Sequence, residues 1–125
     1  MRLLLDAHAL LWATGDSSKL SETARTAIND TDNDVLVSIA TLWEIAIKSN
    51  IGKLTIPADF FEKLEPSGYE ILEIQLEHVR HYQTLPLHHR DPFDRILVAQ
   101  TACEGLTLVT RDPLFDPYGI TTLTA

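Results

Sequence analysis

Four acidic residues of this sequence interrupt or end apolar runs, where a charge adds nothing to solubility. Carboxylates are rarely buried unless they are paired, hydrogen-bonded or bound to a metal. Four of them attached to core segments therefore indicate a site for a hard cation, and such a site favours hydrolysis of phosphate esters. The four residues are Asp6, Glu44, Asp94 and Asp112.

Asp6 and Asp112 each directly follow an apolar run that is typical of a buried strand. In an open parallel sheet, ligands bind at the carboxyl ends of the strands, so both side chains are expected at that edge. Both also have an ordinary explanation, because either can cap the helix that follows, and Asp112 precedes Pro113. Asp116 is the alternative to Asp112 as the fourth acid.

Two helices are predicted to carry the other two acids. Thr41, Glu44 and Lys48 form the one polar stripe of an otherwise apolar helix, which we expect to be buried around most of its circumference. The competing interpretation of Glu44 is an exposed ion pair with Lys48 worth a few tenths of a kcal/mol. At the start of another helix, Asp91 is best explained as a cap and Asp94 as a ligand, although a charge in the first turn is favourable anyway.

Basic residues lie close in sequence to these acids. Arg90, Arg95 and Arg111 are candidates for holding substrate phosphates, and neutralising pairs with neighbouring acids are the alternative. The five histidines have no zinc-type spacing, and His78 and His81 are expected to be solvated helix positions.

Strand-like and helix-like segments alternate along the chain. Most predicted strands are unbroken apolar runs, which indicates a mostly parallel sheet of four to five short strands with helices on both faces. The edge strand at residues 69–74 alternates apolar and acidic residues. Predicted strands cover residues 2–6, 35–38, 69–74, 106–110 and 120–123, and predicted helices cover residues 7–14, 39–50, 59–64, 75–84 and 92–104, with Ser21 capping a further one.

Length and composition are those of an ordinary globular protein. The 125 residues suit a single domain, 1–125, and no apolar stretch approaches the ~20 residues that cross a bilayer. Cys103 is alone, so no internal disulfide forms, and we expect a cytoplasmic protein. Taken alone, the net charge of −8 argues against nucleic acid, but basic residues lie near the key acids and divalent ions would reverse the local sign; the acidic surface also suits a basic protein partner.

Four segments together resemble the PIN domain family, and more narrowly its VapC-like toxins of bacterial toxin–antitoxin pairs. They occur in the order typical of the family and span nearly the whole chain. The segments are residues 3–12 (LLLDAHALLW), 38–48 (SIATLWEIAIK), 89–100 (HRDPFDRILVAQ) and 108–112 (LVTRD).

The resemblance implies a PIN-like three-layer α/β sandwich and a metal-dependent RNA endonuclease that a cognate antitoxin inhibits. The acidic quartet of the family falls on Asp6, Glu44, Asp94 and Asp112, which would bind Mg²⁺ or Mn²⁺ as catalytic and metal-ligating residues. RNA and an antitoxin protein are the expected partners, with no membrane association, and a homodimer is expected because dimers are the commonest closed assembly.

Other classes remain open at the level of sequence. A haloacid-dehalogenase-like phosphatase needs a second Asp two residues after the first, where this chain has His8. A receiver-type signalling domain needs an acid pair after the first strand and a phosphoacceptor Asp on a middle strand, and neither is evident in this sequence. Two alternatives remain. One is a PIN-domain nuclease that is not a toxin, and the other is a catalytically inert protein-binding module that uses the acids as caps.

Overall fold

The protein is described by a computed structural model that covers all 125 residues. Its centre is a five-stranded sheet in which every pair of neighbouring strands is parallel, in the order β3-β2-β1-β4-β5. The strands are β1 (Arg2–Leu5), β2 (Asp34–Ser38), β3 (Tyr69–Leu72), β4 (Thr107–Thr110) and β5 (Thr122–Thr124). The helices are α1 (Ala7–Thr14), α2 (Glu22–Asn29), α3 (Ile39–Asn50), α4 (Leu76–Gln83) and α5 (Pro92–Glu104), with short 3₁₀ helices at Ser17–Lys19 and Pro113–Tyr118.

Two apolar layers lie on opposite faces of the sheet, because successive strand residues point to opposite sides. On one face, Leu3 and Leu5 pack with residues from α1, α2 and α3. On the other face, Leu4 packs with Leu97 and Val98 of α5. The predicted α/β arrangement, with helices on both faces of the sheet, is therefore confirmed.

The register of the central strands brings three chain segments to one edge. Leu5 of β1 pairs with Val37 of β2 on one side and with Val109 of β4 on the other. The amide of Asp6 then donates to the carbonyl oxygen of Val109 at 3.2 Å. The chain that leaves each of these strands therefore starts at the same carboxyl edge of the sheet.

Three elements differ from the sequence prediction. Residues 59–64, predicted as a helix, form successive turns, because six residues before Pro66 are too few to repay helix nucleation. The main-chain hydrogen bonds there do not keep the regular i to i−4 pattern of an α-helix. The Phe60 amide donates to the Pro57 carbonyl oxygen, three residues back, and the Lys63 amide to that of Asp59, four residues back. The edge strand β3 ends at Leu72 rather than at residue 74, and the last strand begins at Thr122 rather than at residue 120.

The exposure of α3 also differs from expectation. The helix was expected to be buried around most of its circumference, but Ala40, Thr41 and Ile45 are its only buried residues. An exposed apolar stripe at i, i+4 spacing runs along its outer face instead. The stripe consists of Ile39, Trp43, Ile47 and, just beyond the helix, Ile51. None of the helices combines the length and apolar character that a bilayer-spanning helix requires.

Candidate active site

Asp6 lies at the junction of β1 and α1 and is only 7% exposed. Its Oδ1 atom accepts a hydrogen bond from the Ala9 amide at 2.9 Å, so it does cap α1 as the capping interpretation proposed. Burial raises the pKa of this carboxyl, and hydrogen bonds from the Thr110 side chain and the Ala9 amide oppose that rise. The charge of Asp112 raises it further. A buried, partly satisfied carboxylate therefore marks the end of the central strand.

Asp94 lies in the first turn of α5, while Asp91 caps that helix. The Oδ1 atom of Asp91 accepts from the amides of Phe93 at 2.9 Å and Asp94 at 3.2 Å, which confirms its predicted capping role. The pKa of Asp94 is raised from its ordinary value of 3.8 to about 7. Burial is the largest cause, followed by the negative charges of four neighbours: Asp91, Glu44, Asp6 and Asp112.

That list of neighbours shows which acids converge. Besides its own cap, the charges that act on Asp94 come from α3, from the end of β1 and from the segment after β4. These segments are far apart in sequence, and the parallel register together with the contacts of α3 with both α1 and α5 brings them to one edge. The four acids singled out from sequence thus share one electrostatic environment.

Glu44 forms the expected ion pair with Lys48, with a distance of 3.2 Å between Oε2 and Nζ. The Glu44 side chain is nevertheless only 15% exposed, and its charge still acts on Asp94. One turn earlier, the Thr41 hydroxyl is buried and has no hydrogen-bond partner. Glu44 therefore belongs both to a helix-surface pair and to the acidic edge.

Asp112 caps the 3₁₀ helix that follows β4, where its Oδ1 atom accepts from the Leu114 amide at 2.9 Å. The Asp112 amide donates a hydrogen bond to the Thr110 hydroxyl oxygen at 3.1 Å. Thr110 therefore contacts two of the acids, a role that sequence analysis missed, although its position as the last residue of β4 is a usable signal. Asp116 is exposed, and its charge is absent from the causes of the pKa shifts at Asp6 and Asp94.

The three candidate arginines have different surroundings. Arg95 is buried and donates to the carbonyl oxygen of Pro86 at 2.9 Å and to the Tyr118 hydroxyl at 3.0 Å. Arg111 donates to the Ala125 carbonyl oxygen at 2.8 Å, and its guanidinium lies 4.4 Å from the centre of the Trp12 ring. Neither forms the pair with an acid that the alternative interpretation offered. Arg90 is exposed, and its side chain is the one of the three that makes no hydrogen bond or ion pair.

Among the histidines, His78 was expected to be solvated but is fully buried. Its Nδ1 atom accepts from the Gln75 amide at 2.9 Å, and its Nε2 atom lies 2.9 Å from Glu104 Oε1. The prediction was wrong because the helical pattern of α4 does not reveal that α5 covers this position. His89, whose importance was also missed, has Nε2 at 3.6 Å from Asp94 Oδ2.

The donors at the acidic edge fit a hard divalent cation. All four are carboxylates, the oxygen ligands that Mg²⁺ and Mn²⁺ prefer, and the mutual charge that raises the pKa of Asp94 is the repulsion such an ion would relieve. No three His, Cys, Asp or Glu side chains are arranged to hold a metal ion as they stand. Movements of the carboxylates would have to accompany ion binding.

Together, these observations define an α/β protein with a parallel sheet and a group of acidic side chains at the carboxyl ends of its strands. The chain belongs to the PIN domain family, whose model matches residues 3–119. This confirms the resemblance found in the sequence. A search of curated proteins finds no match.

Solved structures share the fold at low sequence identity. DNA-bound VapBC from Salmonella typhimurium is 19% identical, with a TM-score of 0.73 over 98% of this chain and 97% of that one. VapBC2 from Rickettsia felis bound to a promoter DNA fragment is 18% identical, with a TM-score of 0.71 and 98% coverage of both chains. FitAcB from Neisseria gonorrhoeae is 17% identical, with a TM-score of 0.69 over 98% and 96%.

Proposed function

We propose that this protein is a Mg²⁺- or Mn²⁺-dependent RNA endonuclease, and that it is the toxin of a toxin–antitoxin module. The observation that carries the proposal is the convergence of four carboxylates, from four separate elements, at the carboxyl edge of a parallel sheet. Membership of the PIN domain family supports a nuclease. The match to VapBC complexes supports the toxin assignment.

The four carboxylates would bind the ion in two different ways. Asp6 and Asp94 would hold the ion directly, and Glu44 and Asp112 directly or through water. A bound Mg²⁺ or Mn²⁺ supplies activation of a water molecule for attack on phosphorus and neutralises charge on the phosphate. The Ala9 amide holds one oxygen of Asp6 in place, so the side chain is oriented before any ligand arrives.

The substrate phosphate needs a positive group as well. Arg90 is exposed and adjacent to the Asp91 cap, so it is the arginine best placed to pair with a phosphate oxygen. Arg95 and Arg111 would act on the substrate only indirectly, because their guanidinium groups are engaged with main-chain carbonyls.

Partners are proposed from charge and from exposed apolar surface. The net charge of −8 favours a basic partner, as an antitoxin that covers an acidic site would be. The apolar stripe along α3 is a surface of the kind that protein interfaces cover, and we assign it to a homodimer. A cytoplasmic location follows from the proposed RNA substrate.

The assignment is tested by Asp6→Asn and Asp94→Asn, which keep side-chain size and remove charge. Each should reduce Mg²⁺- or Mn²⁺-dependent cleavage of a mixed RNA substrate by at least ~100-fold, because the loss of a directly bound ligand removes the ion. Asp32→Asn is the matched control: Asp32 is exposed in the turn before β2, at the opposite edge of the sheet. Cleavage at the parental rate by either site variant, with the fold intact by circular dichroism, would refute the assignment.

A further inference from the structure

His89 connects Asp94 to a buried hydrogen-bonded chain behind the acidic edge. Its side chain is 9% exposed and packs edge-on against the rings of Phe115 and Tyr118. Its Nδ1 atom lies 3.0 Å from the Tyr118 hydroxyl. That hydroxyl in turn accepts a hydrogen bond from Arg95 at 3.0 Å. The order is therefore guanidinium, phenol, imidazole and carboxyl.

Arg95 fixes the direction of this chain. A guanidinium can only donate, so the Tyr118 oxygen accepts from it and its single proton is free to go elsewhere. The acceptor at hydrogen-bond distance is His89 Nδ1. Arg95 is itself anchored, because it also donates to the Pro86 carbonyl oxygen at 2.9 Å.

The imidazole of His89 then has one tautomer that is compatible with the groups facing both of its nitrogens. With Nδ1 accepting from Tyr118, the proton of neutral His89 lies on Nε2. That atom is buried, makes no hydrogen bond, and lies 3.6 Å from Asp94 Oδ2. In the opposite tautomer, the Tyr118 oxygen would receive two donors and the Nε2 lone pair would face a carboxylate oxygen.

We propose that His89 is a positioning residue for Asp94, donating its Nε2 proton to Oδ2 and so fixing the orientation of the carboxyl group, with Tyr118 and Arg95 fixing the tautomer. The inference rests on the proposed function in taking Asp94 as a metal ligand. The separation of 3.6 Å exceeds a hydrogen bond, so donation requires the carboxyl group to rotate towards Nε2. Outer hydrogen bonds of this kind orient ligands and tune ion affinity.

The tautomer can be measured on the wild-type protein without metal or substrate. Long-range ¹⁵N–¹H NMR correlations at mildly alkaline pH report which ring nitrogen of the imidazole carries the proton. We expect His89 to be the Nε2–H tautomer, and Tyr118→Phe to produce a mixture. An Nδ1–H tautomer, or a mixture in the wild type, would overturn the proposal.

Variants test the consequence for the ion. His89→Phe keeps the aromatic packing and removes the donor, so Mn²⁺ affinity, measured by electron paramagnetic resonance, should fall about 10–100-fold. His89→Gln places an amide N–H near the position of Nε2 and should recover most of that loss. His88→Phe is the matched control, because His88 is exposed and packs edge-on against Tyr118 at 4.9 Å.

The outcomes separate this inference from the nuclease proposal. If His89→Phe folds and binds Mn²⁺ with parental affinity while Asp94→Asn does not, the positioning role is wrong and the site assignment stands. If the wild-type protein binds Mn²⁺ but cleaves no RNA, the nuclease proposal fails, and the tautomer and affinity measurements still decide the role of His89. Equal losses in His88→Phe and His89→Phe would reduce His89 to a packing role.

Discussion

The ionised carboxyl group of Asp94 destabilises the metal-free folded state, and the same negative charge would favour binding of a cation. Burial and four neighbouring acids raise its pKa to about 7, so near neutral pH the group is ionised in only part of the molecules. A divalent cation would compete with the proton for the same oxygens. The stability of the metal-free protein and its capacity to bind an ion should therefore change over the same range of pH.

Asp94→Asn should change how stability depends on pH. The pKa in the folded protein, about 7, lies above the ordinary value of 3.8, so the proton stabilises the folded state. That stabilisation is complete below about pH 4 and is lost as the pH rises through 7. Asparagine cannot ionise, so in chelator the variant should exceed the parent in free energy of unfolding by ~2–4 kcal/mol at pH 8 and match it at pH 4.

Urea unfolding at several pH values measures this difference, with Asp32→Asn as the control that should follow the parent throughout. A constant difference between Asp94→Asn and the parent from pH 4 to pH 8 would mean that Asp94 does not titrate in this range.

The sequence predicted the role of a residue best where that role depends on its immediate neighbours along the chain. Asp6 and Asp94 were recognisable because a carboxylate beside an apolar run is unusual wherever it falls. The role of His89 depends on Tyr118, which follows it by 29 positions, and no spacing rule connects them. The interpretation of Arg95 failed for the same reason. Its position next to Asp94 in sequence suggested a guanidinium available to a phosphate, but segments distant in sequence bury it and accept its hydrogen bonds.

At the scale of elements, local signals placed most boundaries. Ser21 accepts from the Ala24 amide at 3.0 Å to start α2, and Gly105, with φ of 63°, ends α5 in the left-handed conformation that glycine adopts at least cost. The exposure of α3 was predicted wrongly. Its apolar composition indicates that the helix surface is favourably removed from water. Composition does not show whether the rest of this chain or a second protein chain covers that surface.

The stripe on α3 predicts the effect of one charge on assembly. Ile47 is 39% exposed and lies on the stripe one turn beyond Trp43, so Ile47→Lys would place an ammonium in the proposed homodimer interface. Burying an unpaired charge costs several kcal/mol, so the variant should be a monomer.

Sedimentation equilibrium at tens of micromolar measures the mass of each protein. Thr26→Lys, at an exposed position of α2, introduces the same charge on a different helix and should remain a dimer. A monomeric parent, or an Ile47→Lys variant with the parental mass, would remove α3 from the proposed interface.

For the molecule as a whole, the test of a metal centre must be separated from the effect of net charge. A chain with a net charge of −8 repels itself, so any added salt stabilises it somewhat by screening. An ion that binds only the folded state adds to the free energy of unfolding, by about 2.7 kcal/mol when the free ion is at 100 times Kd. For a protein of this length that corresponds to a rise in Tm of about 8–15 °C.

Mg²⁺ or Mn²⁺ should therefore raise Tm well beyond Na⁺ at the same ionic strength, when both are measured by thermal unfolding at pH 8. The excess should disappear in Asp6→Asn, because that variant keeps most of the net charge and loses a ligand from the central strand. Screening alone would act on parent and variant alike. If the divalent ions did no more than Na⁺ in the parent, the metal-dependent mechanism would be refuted, and the alternative of a catalytically inert protein-binding module would be favoured.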